Sequence, residues 1–287
     1  MAMKPSELIA YARLGQVGAR SPLVIAVPHA GRHYPPAMLE AARLPRSALE
    51  TIEDRYADLL VTDAVQAGAV AIVAQAARAY VDLNRDEQEI DPVLLTTRPS
   101  PGMLIASPKV AGGLGVVPSR IAAGGAVWKQ PFSEAELEAR MAGVHRPYHA
   151  AIAAAMDEAM AVHGIAILLD CHSMPSLAGR GPSPRVVVGD RHGRSAATRF
   201  VAAVMNTVRD AGLTVARNHP YAGGHTLDRH GQPRRGRHAI QIEVDRSLYL
   251  DPLELEPGPG LTEARRLVTA IAAALEDEAR GLALAAE

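Results

Sequence analysis

Short apolar runs alternate along the chain with longer amphipathic stretches. Pro22 to Pro28 reads PLVIAVP, too short for a stable helix, and is predicted as a buried strand followed by the loop HAGRHYPP. From Ser47 to Ala67, apolar Leu49, Ile52, Tyr56, Leu59, Leu60 and Ala64 recur at helical steps, which predicts one helix with a buried stripe, ended by Gly68. Ala69–Ala74 and Ala79–Leu83 are predicted as two strands or one bent one, with the tetrad DLNR at their exit. Ile90 to Lys129 is rich in Pro, Gly and Thr without a period, an irregular excursion of the kind that shapes a site. Ser133 to His163 has a helical pattern: Ser133 and Glu136 make an S-x-x-E start, Pro147 is expected to divide it, and Gly164 closes it. Strands are expected at Ile165–Leu169, Arg185–Val188, Leu213–Ala216 and Ala239–Val244, and helices at Ala196–Ala211 and Leu261–Leu284. This alternation predicts an α/β fold, a mixed, mostly parallel sheet with helices on both faces, with ligands where loops leave the carboxyl ends of strands. No repeat, heptad or linker interrupts it, so residues 1–287 are expected to form a single domain.

Composition narrows the function. Lys and Arg total 30 against 31 Asp and Glu, for a net charge of −1, which offers no basic field to gather the phosphates of nucleic acid. Aromatics make up 3% of the chain, so the core is expected to be aliphatic and the composition argues against a base-stacking surface; the partner is expected to be a small molecule. A single cysteine, Cys171, rules out an intramolecular disulfide and fits a reducing, cytoplasmic setting. No stretch reaches the roughly 18 apolar residues a membrane span needs, and Met1 to Gly15 lacks the apolar core of a secretory leader.

Polar residues stand at or just beyond apolar strands: His29 after LVIAVP, Asn84 and Arg85 after YVDL, Asp170 and His172 after IAILL. Two imidazoles and a carboxylate from separate elements are the kind of three-ligand set that holds a catalytic zinc, with Glu53, Asp54 or Asp58 as the acid; read alone, His29 is a loop histidine satisfied by backbone. The strand period sends Asp170 and His172 to one face and Cys171 to the other, where it is expected to be buried and inert; Asp170 can hold the ring N–H of a metal-bound histidine, the preferred reading, or be a ligand itself. In AIQIEVD the same alternation separates Gln241, Glu243 and Asp245 from the apolar side. Near a metal, Glu243 can take a proton from water and pass it to a leaving nitrogen; away from one, it is a strand's wetted face. Arg85 and Arg246 can grip a substrate carboxylate, and Arg78 can stabilise a developing oxyanion, although most arginines are solvated. Arg234, Arg235 and Arg237 read as a solvated turn. His145 and His149 stand four apart, but Pro147 between them spoils a helical pair of metal ligands, and they are set aside. There is no G-x-S-x-G elbow and no phosphate loop, and Pro118 stands where a dinucleotide fingerprint needs its third glycine.

These residues carry a resemblance. VPHAG with His29, EDRYADLL with Asp54 and Asp58, RAYVDLNR with Arg78, Asn84 and Arg85, GLGVVPSRI with Arg120, RPYHAAI with His149, LLDCHSMPS with Asp170 and His172, YAGGHT with Gly223 and Gly224, and QIEVDRSLYLD with Glu243, Arg246 and Tyr249 follow one another from about Pro22 to Asp251. In that order they resemble the N-formylglutamate amidohydrolases, zinc-dependent deformylases with a zinc-carboxypeptidase-like and aspartoacylase-like fold. The resemblance implies one Zn²⁺ held by His29, Asp54 and His172, with Glu53 as the rival carboxylate. It implies Glu243 as general base and acid, Arg78 at the oxyanion, and Asn84 and Arg85 on the substrate carboxylate, with Arg246 counted among the substrate-binding residues. It further implies a cytoplasmic enzyme cleaving N-formyl-L-glutamate to glutamate and formate in histidine degradation. Arg55 and Tyr56 after Asp54, and His225 in YAGGHT, depart from the familiar pattern and leave room for another N-acyl amino acid. The competing readings are an aspartoacylase-like deacylase and a non-catalytic binder of an acidic metabolite.

Overall fold

The computed structural model describes residues 8–16, 20–97, 102–122, 124–177 and 183–285. The chain divides into two compact units, one of Met1–Ala12, Pro28–Glu53 and Ala74–Ala150, the other of Arg13–Val27, Asp54–Val73 and Ala151–Glu287. Nine strands are described: β1 (Tyr11–Leu14), β2 (Leu23–Val27), β3 (Val70–Ala74), β4 (Arg120–Ile121), β5 (Gly125–Ala126), β6 (Ala166–Met174), β7 (Val186–Gly189), β8 (Val215–Arg217) and β9 (Arg237–Asp245). Seven of them form one sheet in the order β1-β3-β2-β6-β9-β7-β8, the frame of the second unit. The pairings of β2 with β3 and with β6, of β6 with β9 and of β7 with β8 are parallel; β7 with β9 is antiparallel. The sheet is thus mixed and mostly parallel, as the alternation of elements predicts.

All five residues of β2 and all nine of β6 are buried. Burial on both faces is what near-continuous apolar runs such as LVIAV and AILL require. Next to β2, β3 lies on one side and β6 on the other, so the chain changes direction across the sheet at β2, the kind of switch point where α/β sheets leave a crevice at strand carboxyl ends. The helices Thr62–Ala67 and Thr198–Asp210 pack against the closing helix Leu261–Ala285. That helix buries Ala264, Leu267, Val268, Ile271, Ala272, Leu275 and Ala279, one stripe at steps of three and four. Among the described residues no helix is long and apolar enough to cross a membrane.

Three expectations change. The helix expected over Ser47–Ala67 is broken: Arg46–Leu49 and Glu50–Ile52 end at Glu53, whose backbone is extended, and Ala57–Leu60 and Thr62–Ala67 begin anew after Tyr56. Tyr56 is left-handed with φ 57°, a conformation costing a bulky side chain on the order of 1–2 kcal/mol. Ala79–Leu83 is a turn and loop rather than a strand: Tyr80 N–H returns to Ala77 O and Asp82 N–H bonds Val116 O. Around Pro147 the helix is not divided but widened. Met141–His145 is a π-turn in which Arg146 N–H reaches back to Met141 O, and the helix Arg146–His163 continues from it. The expected capping box of Ser133 and Glu136 is present.

His238, at the start of β9, gives the second unit a pH dependence. Ala197 N–H donates to its Nδ1 at 3.3 Å, so that nitrogen carries no proton, and Phe200 packs on the ring. Burial, with Arg199 nearby, brings its pKa down to about 4 from an ordinary 6.5, and burial brings that of His230 down to about 3. Between pH 6.5 and 4 the unfolded chain therefore binds protons that the folded chain refuses, and stability falls as the pH drops through that window. Urea midpoints measured from pH 7 to 4.5 should fall more steeply in the wild type than in His238→Asn, whose amide oxygen keeps the acceptor; equal slopes would exclude His238 as a source.

Candidate active site

In the second unit the site is built on β6 and β9. Their register sets Asp170 level with Gln241 and His172 level with Glu243. His172 lies on the face that the strand period assigns it with Asp170, and its Nε2 is 3.0 Å from Asp170 Oδ2. Its Nδ1 is 3.0 Å from Asp54 Oδ2. Asp54 is delivered by the break after Glu53, where Ala57 N–H caps its carbonyl. Arg246 Nη2 stands 3.3 Å from the other Asp54 oxygen, and its Nε donates to Ser173 Oγ at 3.1 Å. Arg246, read in the sequence with the substrate-binding residues, is thus found bracing Asp54. Glu243 is 8% exposed and accepts from Gln241 Nε2 at 2.8 Å, so its carboxylate is held on a central strand that is not a wetted face. Burial works against a charge on His172, but Asp170, Asp54 and Glu243 prevail and raise its pKa well above the usual range. Cys171 points away and is buried; burial, then Asp170, pushes its thiol pKa up, which makes it inert as expected.

In the first unit the site gathers on a residue the sequence reading passed over. Asp82, 1% exposed, accepts from His29 Nε2 at 2.7 Å, from Arg78 Nε at 2.9 Å and from the Asn84 backbone N–H at 2.9 Å. Burial opposes its charge, yet Arg78, His29 and Arg85 hold its pKa well below the ordinary carboxylate range. The signal was present in DLNR: an acid between two apolar residues, two positions before the asparagine. Arg78 also donates Nη1 to Ile52 O, and Arg85 donates Nε to Leu114 O and Nη1 to Asn84 O. Gly31 in VPHAG is required by close approach, since a Cβ there would lie 2.0 Å from Ala76 O. Glu53, the rival carboxylate, takes the Tyr34 hydroxyl and is fully buried.

His172 and Asp170 on β6 and Glu243 on β9, neighbouring parallel strands, make this edge of the sheet the candidate ligand site of an α/β protein. The chain belongs to the N-formylglutamate amidohydrolase family, whose model matches residues 21–250. It is 29% identical over 238 residues to an N-formylglutamate deformylase of Pseudomonas aeruginosa, covering 81% of this chain and 83% of that one. It is 26% identical over 243 residues to another of Pseudomonas putida, covering 82% and 84%. The crystal structure of an N-formylglutamate amidohydrolase from Ralstonia eutropha JMP134 is similar with a TM-score of 0.87 at 31% identity, over 95% of this chain and 99% of that one. A gene product of Agrobacterium tumefaciens shares the fold, with a TM-score of 0.62 at 20% identity over 93% and 94% of the two chains.

Proposed function

We propose that the chain is a zinc-dependent amidohydrolase that cleaves the formyl amide of an acidic N-formyl amino acid, N-formyl-L-glutamate giving glutamate and formate, and that both units work as one catalytic domain. The observation that carries the reading is His172 Nδ1 against Asp54 Oδ2 at 3.0 Å, with Glu243 level on the next strand. Two donors on a tetrahedral zinc, each roughly 2.1 Å from it, stand about 3.4 Å apart, so this pair is spaced like neighbouring ligands. Three carboxylates that raise one imidazole's proton affinity make an excess of negative charge that a divalent cation relieves better than a proton does. His29 is the proposed third ligand. It stands two residues past the end of β2, and β2 pairs with β6 so that Ala26 is level with Asp170. Asp82 on Nε2 of His29, like Asp170 by Nε2 of His172, makes Nδ1 the nitrogen for a metal. Asp54 is preferred to Glu53, whose carboxylate is engaged by Tyr34.

A divalent ion, when bound, supplies Lewis acidity toward the formyl carbonyl and acidifies the attacking water. Glu243 takes that water's proton and returns it to the amide nitrogen as the carbon–nitrogen bond breaks; the water's oxygen leaves in formate. Arg78 steadies the charge on the carbonyl oxygen. Asn84 and Arg85 orient the substrate by its carboxylate, while Arg246 stays on Asp54, so that binding energy far from the reacting bond positions the small formyl group. A cytoplasmic place in histidine breakdown fits the single cysteine and the acidic small-molecule substrate. The test is release of the free amino acid, read as the newly freed primary amine, from a panel of formyl, acetyl and succinyl amino acids, with metal analysis of the purified protein. Release from N-formylglutamate by protein carrying a divalent ion is expected. Turnover confined to acetyl substrates would make the chain an aspartoacylase-like deacylase, and tight binding of glutamate derivatives with no turnover would make it a binder.

A further inference from the structure

We infer that His145 and His149 are positioning residues for the substrate carboxylate, holding the Asn84–Arg85 segment through its backbone; the inference rests on the proposed role of that pair. Both imidazoles are fully buried. His149 Nε2–H donates to Leu83 O at 2.9 Å and His145 Nε2–H donates to Arg85 O at 2.8 Å. These two carbonyls flank Asn84. Its own N–H is held by Asp82 Oδ1 and its own C=O by Arg85 Nη1, each at 2.9 Å. The segment lies outside any strand, so no ladder fixes it, and buried carbonyls without a partner would be costly. Side-chain donors therefore do for this loop what a neighbouring strand does for β6.

The helix is shaped for the task. The π-turn Met141–His145 adds a residue to the turn before Pro147, which has no N–H to lose, and the two rings come to stand 4.6 Å apart between centroids. Glu87, on the same segment, lies 3.6 Å from His145 Nδ1 and 2.8 Å from Arg146, which adds a second tie. A clamp that must meet a carboxylate in a fixed geometry tolerates little backbone play, so these bonds are expected to show in substrate binding before they show in the chemical step.

Substitutions that differ only in reach make the test. A glutamine amide nitrogen can stand where Nε2 stands, whereas an asparagine amide reaches only the Nδ1 position. On the metal-loaded protein with N-formylglutamate, His149→Asn is expected to raise KM about tenfold or more with kcat within about threefold of wild type, and His149→Gln to restore KM to within about threefold. His145→Asn and His145→Gln are expected to behave alike. Free glutamate, titrated calorimetrically, should weaken in the Asn variants by the same factor, with metal content unchanged. Unchanged KM in both Asn variants overturns the inference, and so does a fall in kcat that Gln does not repair. If the wild type releases no formate from any formyl amino acid, the proposed function fails and this inference with it; wild-type turnover with unmoved KM sinks this inference alone.

Discussion

Glu243→Gln is expected to lower kcat for the formyl substrate by roughly 10²- to 10⁴-fold, about 3–5 kcal/mol of barrier, with KM and bound metal close to wild type. Glutamine matches glutamate in volume, and its amide oxygen can still accept from Gln241 Nε2, 2.8 Å away in the wild type. What disappears is the only thing the mechanism asks of the residue, a base that can take a proton and give it back. Because Glu243 is 8% exposed on a central strand, bulk water has little access with which to replace it. Steady-state formate release, read beside metal analysis, checks this. A kcat within about threefold of wild type would remove Glu243 from the reaction, since removal of a general base is not that mild.

His172→Ala should act on a different quantity. The variant is expected to lose bound zinc and turnover together and to be less stable by about 3–5 kcal/mol, because Asp54 and Asp170 would both lose their imidazole partner while remaining buried. His172 stands 3.0 Å from each of those carboxylates. Arg246 on Asp54 offsets part of the loss, and Asp170 has no such second cation among the described ion pairs. Metal content and urea denaturation of the two variants separate the roles: Glu243→Gln keeps the ion and the fold, His172→Ala keeps neither in full. A His172→Ala protein that binds zinc stoichiometrically at wild-type stability would exclude His172 as a ligand.

The strands that bear the site were legible because their sequence is dominated by one physical demand. LVIAV and AILL are apolar throughout, and only strands covered on both faces ask for that. AIQIEVD alternates, which puts Gln241 and Glu243 on one face, and the bond from Gln241 Nε2 to the Glu243 carboxylate bears that out. The stretch around Asp54 was less legible. Its apolar spacing continues a helix across Glu53 to Tyr56, and local periodicity gives no sign of the break. The partners that favour it, Tyr34 for Glu53 and His172 with Arg246 for Asp54, are remote in sequence or on another element. Asp82 was missed for a related reason: an aspartate in a loop is usually solvated, and nothing local says that His29, 53 residues earlier, will bury it. His145 and His149 were judged against an ideal helix, and the π-turn before Pro147 changed their geometry.

The primary structure alone determined which side chains share a strand face, since covalent geometry sends alternate residues to opposite sides whatever the rest of the chain does. It likewise determined that His29 follows an apolar strand, whereas Asp170 and His172, read as following the strand Ile165–Leu169, lie inside β6, which runs on to Met174. The tertiary structure decided that Asp82 takes Nε2 of His29, that His172 has an aspartate at each ring nitrogen, and that Asp54 rather than Glu53 meets His172. It also decided that Arg246 braces that aspartate. Those outcomes depend on contacts such as the one between residues 54 and 172, separated by 118 positions. A contact of that span is set by the packing of whole elements, which no local pattern of apolar and polar residues encodes.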